Sequence, residues 1–386
     1  MTSLKKNITT ALIICFSLVL SVHCTAGNTK PDSSVHCTAG NTKPDSSVHC
    51  TAGNTKPDSS VHCAAGNTKP DSSVHCTAGN TKPDTSGQYL IGSKRMELRD
   101  TARGNRKVTF EVWYPVSNQE QPAPEGEERS ERFPVICFAH GYQHPGDRYG
   151  NLVEKLVPAG YIMISLTTFE GPFPSHRGYA EEIRFMADAV AGISCDTLSP
   201  LYGIADTLIC LMGHSMGGGA MFHAAADNQT INAVIALAPY NTRPSAIEAA
   251  GSVRVPTLIL SGTADCITPP EKNHLPIYER SAAEDKTYIS IINGSHCGMG
   301  ALRKCFTAEK LAGCAGGLGT EEQTVILARY IIPWLDCFLN GQEEQGAVFN
   351  QTLASDTAVT WLRSRLLPEP DELPRQEEEQ SPPHEK

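Results

Sequence analysis

The stretch Thr207-Leu208-Ile209-Cys210-Leu211-Met212-Gly213-His214-Ser215-Met216-Gly217-Gly218-Gly219 decides how this chain is read. Its first six residues have the apolar, β-branched character of a buried strand, and the Ala-rich run from Ala220 to Ala226 that follows has the character of a helix. Between them lies a G-x-S-x-G turn, which in a strand-turn-helix setting projects a serine hydroxyl from a sharp bend. Glycines flank the serine because side chains there would clash with the backbone. The following helix turns its positive end toward the bend, where a developing negative charge is stabilised. Ser215 is therefore the candidate nucleophile, and the Met216 N–H is a candidate donor to an oxyanion.

Outward from this bend the chain alternates strand and helix patterns. Strands are expected at Val108–Tyr114, Pro134–Ala139, Tyr161–Leu166, Ala233–Leu237, Pro256–Leu260 and Thr287–Ile292, besides the one before Ser215. Most are continuous apolar runs, the mark of strands buried on both faces. Helical patterns run over Tyr149–Pro158, Tyr179–Gly192, Ser215–Ala226, Pro270–Ala283 and Glu321–Leu339. The expected class is α/β, a mainly parallel central sheet flanked by helices.

The rest of the 386 residues divides by composition. Lys5 and Lys6 precede the short apolar run Ala11–Leu20, so residues 1–26 read as an export signal, with soluble export favoured over lipid anchoring at Cys24. From Ser21 a 13-residue unit, Ser-Val-His-Cys-Thr-Ala-Gly-Asn-Thr-Lys-Pro-Asp-Ser, recurs five times; residues 27–87 read as a spacer too poor in apolar residues to fold. Its His-Cys pairs are candidates for soft-metal binding or interchain disulfides. Residues 88–366 form the expected catalytic domain, with a Glu- and Pro-rich surface loop over Ser117–Arg132, and 367–386 an acidic, Pro-rich tail. A net charge of −10 with no basic stripe argues against nucleic acid as partner, and no segment is long and apolar enough to span a bilayer. Fourteen cysteines fit an extracellular or periplasmic protein. Asn228-Gln229-Thr230, Asn293-Gly294-Ser295 and Asn350-Gln351-Thr352 are glycosylation acceptors in a glycosylating host.

A serine hydroxyl needs a base to take its proton, usually a histidine oriented by a carboxylate. In the α/β-hydrolase architecture these follow the serine in the order acid, then histidine, each on a loop after a strand. Asp265 is the sole carboxylate of the loop Ser261-Gly262-Thr263-Ala264-Asp265. Of thirteen histidines only His274, His296 and His384 follow it. His274 falls within an expected helix and His384 in the tail, which leaves His296, in Asn293-Gly294-Ser295-His296, as the base. The second oxyanion donor is sought in the loop Ala139-His140-Gly141-Tyr142-Gln143, with Tyr142 preferred and His140 supporting the loop.

On Gly141-Tyr142, Gly213-His214-Ser215-Met216-Gly217-Gly218-Gly219, Ala238-Pro239-Tyr240, Asp265-Cys266-Ile267-Thr268-Pro269 with His274 and Pro276-Ile277-Tyr278, and Gly294-Ser295-His296, the chain resembles the secreted cutinase-like polyester hydrolases, within the dienelactone-hydrolase-like α/β-hydrolases. That group includes poly(ethylene terephthalate)-degrading enzymes. The resemblance runs from Lys107 to Leu339. It implies hydrolysis of carboxylic esters through an acyl-enzyme, without a cofactor or metal, in a shallow cleft. Its aromatic clamp maps to Tyr142 and Tyr240. The short interval between Leu237 and Pro256 agrees, leaving no room for a cap domain. The chain departs from the family at Tyr240, where tryptophan is common, and at His140, where proline is.

Contact between Asp265 and His296 makes Cys266–Cys297 a candidate disulfide, with Cys305–Cys314 a competing set and free thiols a third possibility. Cys137 and Cys210 read as apolar filler in buried strands. The expected substrate is an ester with an aromatic or aliphatic acyl group, polymeric esters included, on a platform of Tyr142, Tyr240 and Phe173. Rival readings are a lipase or phospholipid-acyl esterase akin to platelet-activating-factor acetylhydrolases, a carbohydrate-ester deacetylase, and a catalytically silent adhesion protein. Oligomeric state is not legible in the sequence.

Overall fold

Continuous apolar runs have nowhere to go but the middle of a sheet covered on both faces, and the computed structural model places them there. It describes residues 89–117, 131–169, 171–300, 302–314 and 317–364. The expected export signal, repeat spacer and acidic tail, and residues 118–130 of the surface loop, lie outside the described residues.

In chain order the strands are β1 (Tyr89–Asp100), β2 (Arg106–Ser117), β3 (Phe133–Ala139), β4 (Ile162–Leu166), β5 (Ala205–His214), β6 (Ala233–Leu237), β7 (Thr257–Gly262), β8 (Lys286–Ile291) and β9 (Val359–Arg363). The helices are α1 (Gly150–Leu156), α2 (His176–Cys195), α3 (Met216–Ala225), α4 (Ala246–Ala250), α5 (His274–Arg280), α6 (Arg303–Ala312), α7 (Thr320–Phe338) and α8 (Glu343–Ser355). All the strands join one sheet in the order β1-β2-β4-β3-β5-β6-β7-β8-β9. From β4 to β8 every pairing is parallel, whereas β1–β2, β2–β4 and β8–β9 are antiparallel. The mainly parallel sheet of an α/β-hydrolase is thus present.

The strand period of two sorts side chains between two cores. Val135 and Cys137 of β3, Leu211 of β5 and Val234 and Ala236 of β6 pack on one face with residues of α2, α3 and α5. Their neighbours Ile136, Phe138, Cys210, Met212, Ile235 and Leu237 pack on the other with α1, α7 and α8. Cys137 and Cys210 are buried thiols, as their apolar setting suggested. Because the chain runs from β3 to β4 on one side and from β5 to β6 on the other, a crevice opens outside the carboxyl ends of β3 and β5. The loop after β3 and Ser215 after β5 meet at this crevice.

Both disulfide pairings expected from sequence are wrong. Cys266 bonds to Cys314 and Cys297 to Cys305, with Cα atoms 5.7 and 5.5 Å apart. The cause is α6, absent from the sequence reading, which turns the chain back so that Cys305 meets Cys297. Gly313 then ends α6 in the left-handed conformation (φ 76°), and Cys314 follows it to the acid loop.

Trp334 of α7 is fully buried in the second core, 4.8 Å from the Phe338 ring. Trp334→Ala should lower the free energy of unfolding by about 3–5 kcal/mol in denaturant titrations. A loss below about 1 kcal/mol would contradict this packing.

Candidate active site

The bend at Ser215 is built as its glycines require. Ser215 has φ 54° and ψ −117°, a conformation that strains any residue with a side chain. Neighbours hold it there: the Ser215 N–H donates to the Leu237 carbonyl (3.0 Å), and the Tyr240 N–H donates to the Ser215 carbonyl (2.9 Å). A Cβ on Gly217 would stand 2.1 Å from the Ala139 carbonyl oxygen, so this glycine lets α3 approach β3. Met216 opens α3, and its N–H has no intrahelical acceptor.

Two loops deliver the acid and the histidine. Asp265 follows β7, and His296 follows β8. The loops are pressed together, since a Cβ on Gly262 would meet the Gly294 carbonyl oxygen at 2.2 Å. His296 Nδ1 lies 2.8 Å from Asp265 Oδ2, and His296 Nε2 lies 2.9 Å from Ser215 Oγ. Asp265 Oδ1 accepts from the N–H groups of Ile267 (2.9 Å) and Thr268 (2.8 Å). Burial pushes the Asp265 carboxyl up, but His296, by attraction and hydrogen bond, with His274 and the Thr268 amide, outweighs it and holds the group below the usual carboxylate range. The acid is thus ionised, Nδ1 carries the imidazole proton, and Nε2 is left to accept from the serine hydroxyl. Ser215, Asp265 and His296 meet with the serine only 8% exposed.

The loop after β3 is fixed by residues the sequence reading passed over. The Gly141 N–H donates to Tyr149 Oη (3.0 Å), which in turn donates to His214 Nδ1 (2.8 Å). Burial, then the neighbouring His296 and His144, hold His214 well below its ordinary pKa, so it stays neutral. With the Gly141 amide occupied, Tyr142 supplies the next N–H of the loop. His140 is fully buried, and its Nε2 donates to the Thr168 carbonyl (2.6 Å), a supporting contact as expected.

Of the aromatic candidates, Tyr142 is 38% and Phe173 81% exposed. Tyr142 Oη donates to the Pro172 carbonyl (2.8 Å), which ties it to the segment that carries Phe173. Tyr240 is half-buried beside His176, with ring centroids 6.1 Å apart.

The histidine loop has its own supports, also unforeseen. Buried Gln323 of α7 accepts the Ser295 N–H (2.9 Å) and donates to the Ser295 carbonyl (3.0 Å). Buried Glu309 of α6 accepts the Cys297 N–H (3.0 Å). On the other side Thr268 Oγ1 lies 2.9 Å from Asp265 Oδ2, 2.9 Å from His296 Nδ1 and 3.0 Å from His274 Nε2. Neither Thr268 nor Gln323 carries a sequence signal apart from its neighbours. His274 did, as a histidine after the acid, but its position on a helix concealed its contact.

Burial, partly offset by Asp265, lowers His274 to about 4. Unfolded, it titrates near 6.5. Because the folded value is depressed, the unfolded chain binds the extra proton first, and stability is lost as pH falls from about 6.5 to about 4. His274→Gln should remove about 3 kcal/mol of that fall, read as unfolding free energies at pH 7 and pH 4. His214 contributes to the remaining slope in both proteins. Equal slopes would contradict the buried, neutral assignment.

The family described as PET hydrolase-like matches residues 126–346, more than half of the chain. A cutinase of Thermobifida alba is 26% identical over 167 residues, covering 42% of this chain and 53% of that protein. Cutinase 2 of Thermobifida cellulosilytica is 26% identical over 199 residues, 45% of this chain and 72% of that protein. A bis(hydroxyethyl) terephthalate hydrolase of Streptomyces coelicolor is 28% identical over 234 residues, 59% of this chain and 61% of that protein. The chain spans about half the length of the first of these. No helix among the described residues is long and apolar enough to cross a membrane. With a matching family over residues 126–346, an α/β sheet and a strained serine bend at its crevice, the chain belongs to the PET hydrolase-like family.

Proposed function

We propose that this protein is an exported serine carboxylic ester hydrolase of the cutinase and polyesterase type, acting through an acyl-enzyme. The observation that carries the reading is the continuous hydrogen-bonded chain from Ser215 Oγ through the His296 imidazole to the Asp265 carboxylate, at 2.9 and 2.8 Å. Ser215 Oγ attacks the ester carbonyl as its proton passes to His296 Nε2. The imidazolium that forms is stabilised by Asp265, which remains ionised. The Met216 and Tyr142 N–H groups receive the oxyanion; one such donor is worth about 10²–10³ in kcat. Collapse of the tetrahedral intermediate breaks the ester C–O bond, and the leaving alkoxide takes the Nε2 proton. Water then gives a proton to His296, attacks the acyl carbon and releases the acid, and Oγ recovers its proton.

Relatives named as cutinases and as a bis(hydroxyethyl) terephthalate hydrolase support esters of aliphatic or aromatic acids as substrates, polymers included. Exposed Tyr142 and Phe173 and half-buried Tyr240 suit an apolar platform at the rim. Export is supported by Lys5, Lys6 and the apolar run after them, and by disulfides that persist in oxidising compartments.

Nitrophenyl acetate, a long-chain nitrophenyl ester, a triglyceride and a polyester film should be compared across wild type, Ser215→Ala and Phe173→Ala. Ser215→Ala should lose activity on every substrate, by about 10⁶ in kcat. Phe173→Ala should keep nitrophenyl acetate turnover and wild-type stability while film hydrolysis falls severalfold. Undiminished hydrolysis by Ser215→Ala would overturn the assignment. Preference for the triglyceride would favour the lipase reading, and equal film rates for Phe173→Ala would remove that ring from the platform.

A further inference from the structure

Behind the acid lies a second buried polar line that the catalytic reading does not use. Thr268 Oγ1 has one proton to give and three acceptors in reach: Asp265 Oδ2 (2.9 Å), the Ala238 carbonyl (3.3 Å) and, in one tautomer, His274 Nε2 (3.0 Å). The ionised carboxylate is the strongest acceptor and close by, so the hydroxyl proton goes to Asp265. Contact between Thr268 Oγ1 and His274 Nε2 then requires a proton on Nε2. His274 Nδ1, unprotonated, accepts from Ser261 Oγ at 2.7 Å. One tautomer satisfies the entire line. It also turns the His274 N–H toward Asp265, whose Oδ2 lies 3.7 Å from Nε2. Ser261, Thr268 and His274 are all buried, so no water competes for these bonds.

We propose that Thr268 and His274 are positioning residues for the proposed reaction: a neutral His274, anchored by Ser261, holds the Thr268 hydroxyl so that it donates to Asp265 Oδ2 and fixes the carboxylate opposite His296 Nδ1. This rests on the catalytic reading above. Without the hydroxyl the carboxylate keeps its two amide donors on Oδ1 but loses its neutral donor on Oδ2. The oxygen that orients the imidazole then turns more freely, while the surface that binds the ester is unchanged. The expected signature is a loss in kcat at constant KM.

The test is nitrophenyl butyrate hydrolysis by Thr268→Val, nearly the same shape without the hydroxyl, with Thr268→Ser, His274→Leu and the Thr268→Val/His274→Leu double variant. Thr268→Val should lower kcat about ten- to a hundredfold with KM unchanged, and Thr268→Ser should restore most of it. The double variant should be no slower than Thr268→Val, because both changes cut one line. Wild-type kcat in a folded Thr268→Val, or fully multiplicative losses in the double variant, would overturn the proposal. Where a variant does not fold, ¹⁵N NMR of the wild type at pH 7 decides: protonation of His274 on Nε2 is expected, and protonation on Nδ1 overturns the line. Ser215→Ala separates the two levels. If it remains active the catalytic reading itself fails, and if it is dead while Thr268→Val is unimpaired only this proposal does.

Discussion

Asp265 keeps a negative charge in a site almost closed to water, and the surrounding structure follows from that constraint. An isolated buried carboxylate costs several kcal/mol, so it persists only among donors. Here two backbone amides serve Oδ1, and a hydroxyl and an imidazole serve Oδ2. The same imidazole that satisfies the acid is thereby left with its other nitrogen facing Ser215. Stabilising the charge and leaving a nitrogen free toward the serine are one arrangement. Burial holds the neighbouring His214 and His274 below the usual imidazole range.

Holding three loops to these distances demands mechanical support from outside them, and the segment after His296 supplies it. Helix α6 is tied to the acid loop through Cys266–Cys314 and to the histidine loop through Cys297–Cys305. Glu309 of α6 and Gln323 of α7 bind the backbone on either side of His296. The loop at Tyr142 is fixed separately, through Gly141, Tyr149 and His214. The histidine loop and the loop after β3 are thus braced by buried side chains, and the acid loop by the Cys266–Cys314 disulfide.

Much of this was legible in the residues alone. Continuous apolar runs mark strands covered on both faces, and the parallel strands appear within a few residues of their expected limits. The order serine, acid, histidine, each at a strand's carboxyl end, sufficed to single out Ser215, Asp265 and His296. Edge elements were harder. Strand β1 pairs with β2 along its full length, yet most of its side chains are exposed or half-exposed, so it lacks an apolar period. Helix α6 lies in a polar, cysteine-bearing stretch, and without it the four cysteines could only be paired by proximity to the acid and the base. That is why the pairing failed. Thr268, Gln323 and Glu309 act through contacts between distant segments, and no local pattern encodes such contacts. A helix expected around His274 hides its part in the site; it is the first residue of α5, with Nε2 3.0 Å from Thr268 Oγ1 of the acid loop.

Everything proposed for this site turns on one hydroxyl, held against one imidazole, as the reacting group. A fluorophosphonate reacts with such a serine and leaves a stable adduct whose position mass spectrometry of the digested protein reports directly. One adduct per chain is expected, on the peptide carrying Ser215, formed much more slowly when His296 is replaced by alanine. An adduct on another residue, or none on correctly folded protein, would contradict it.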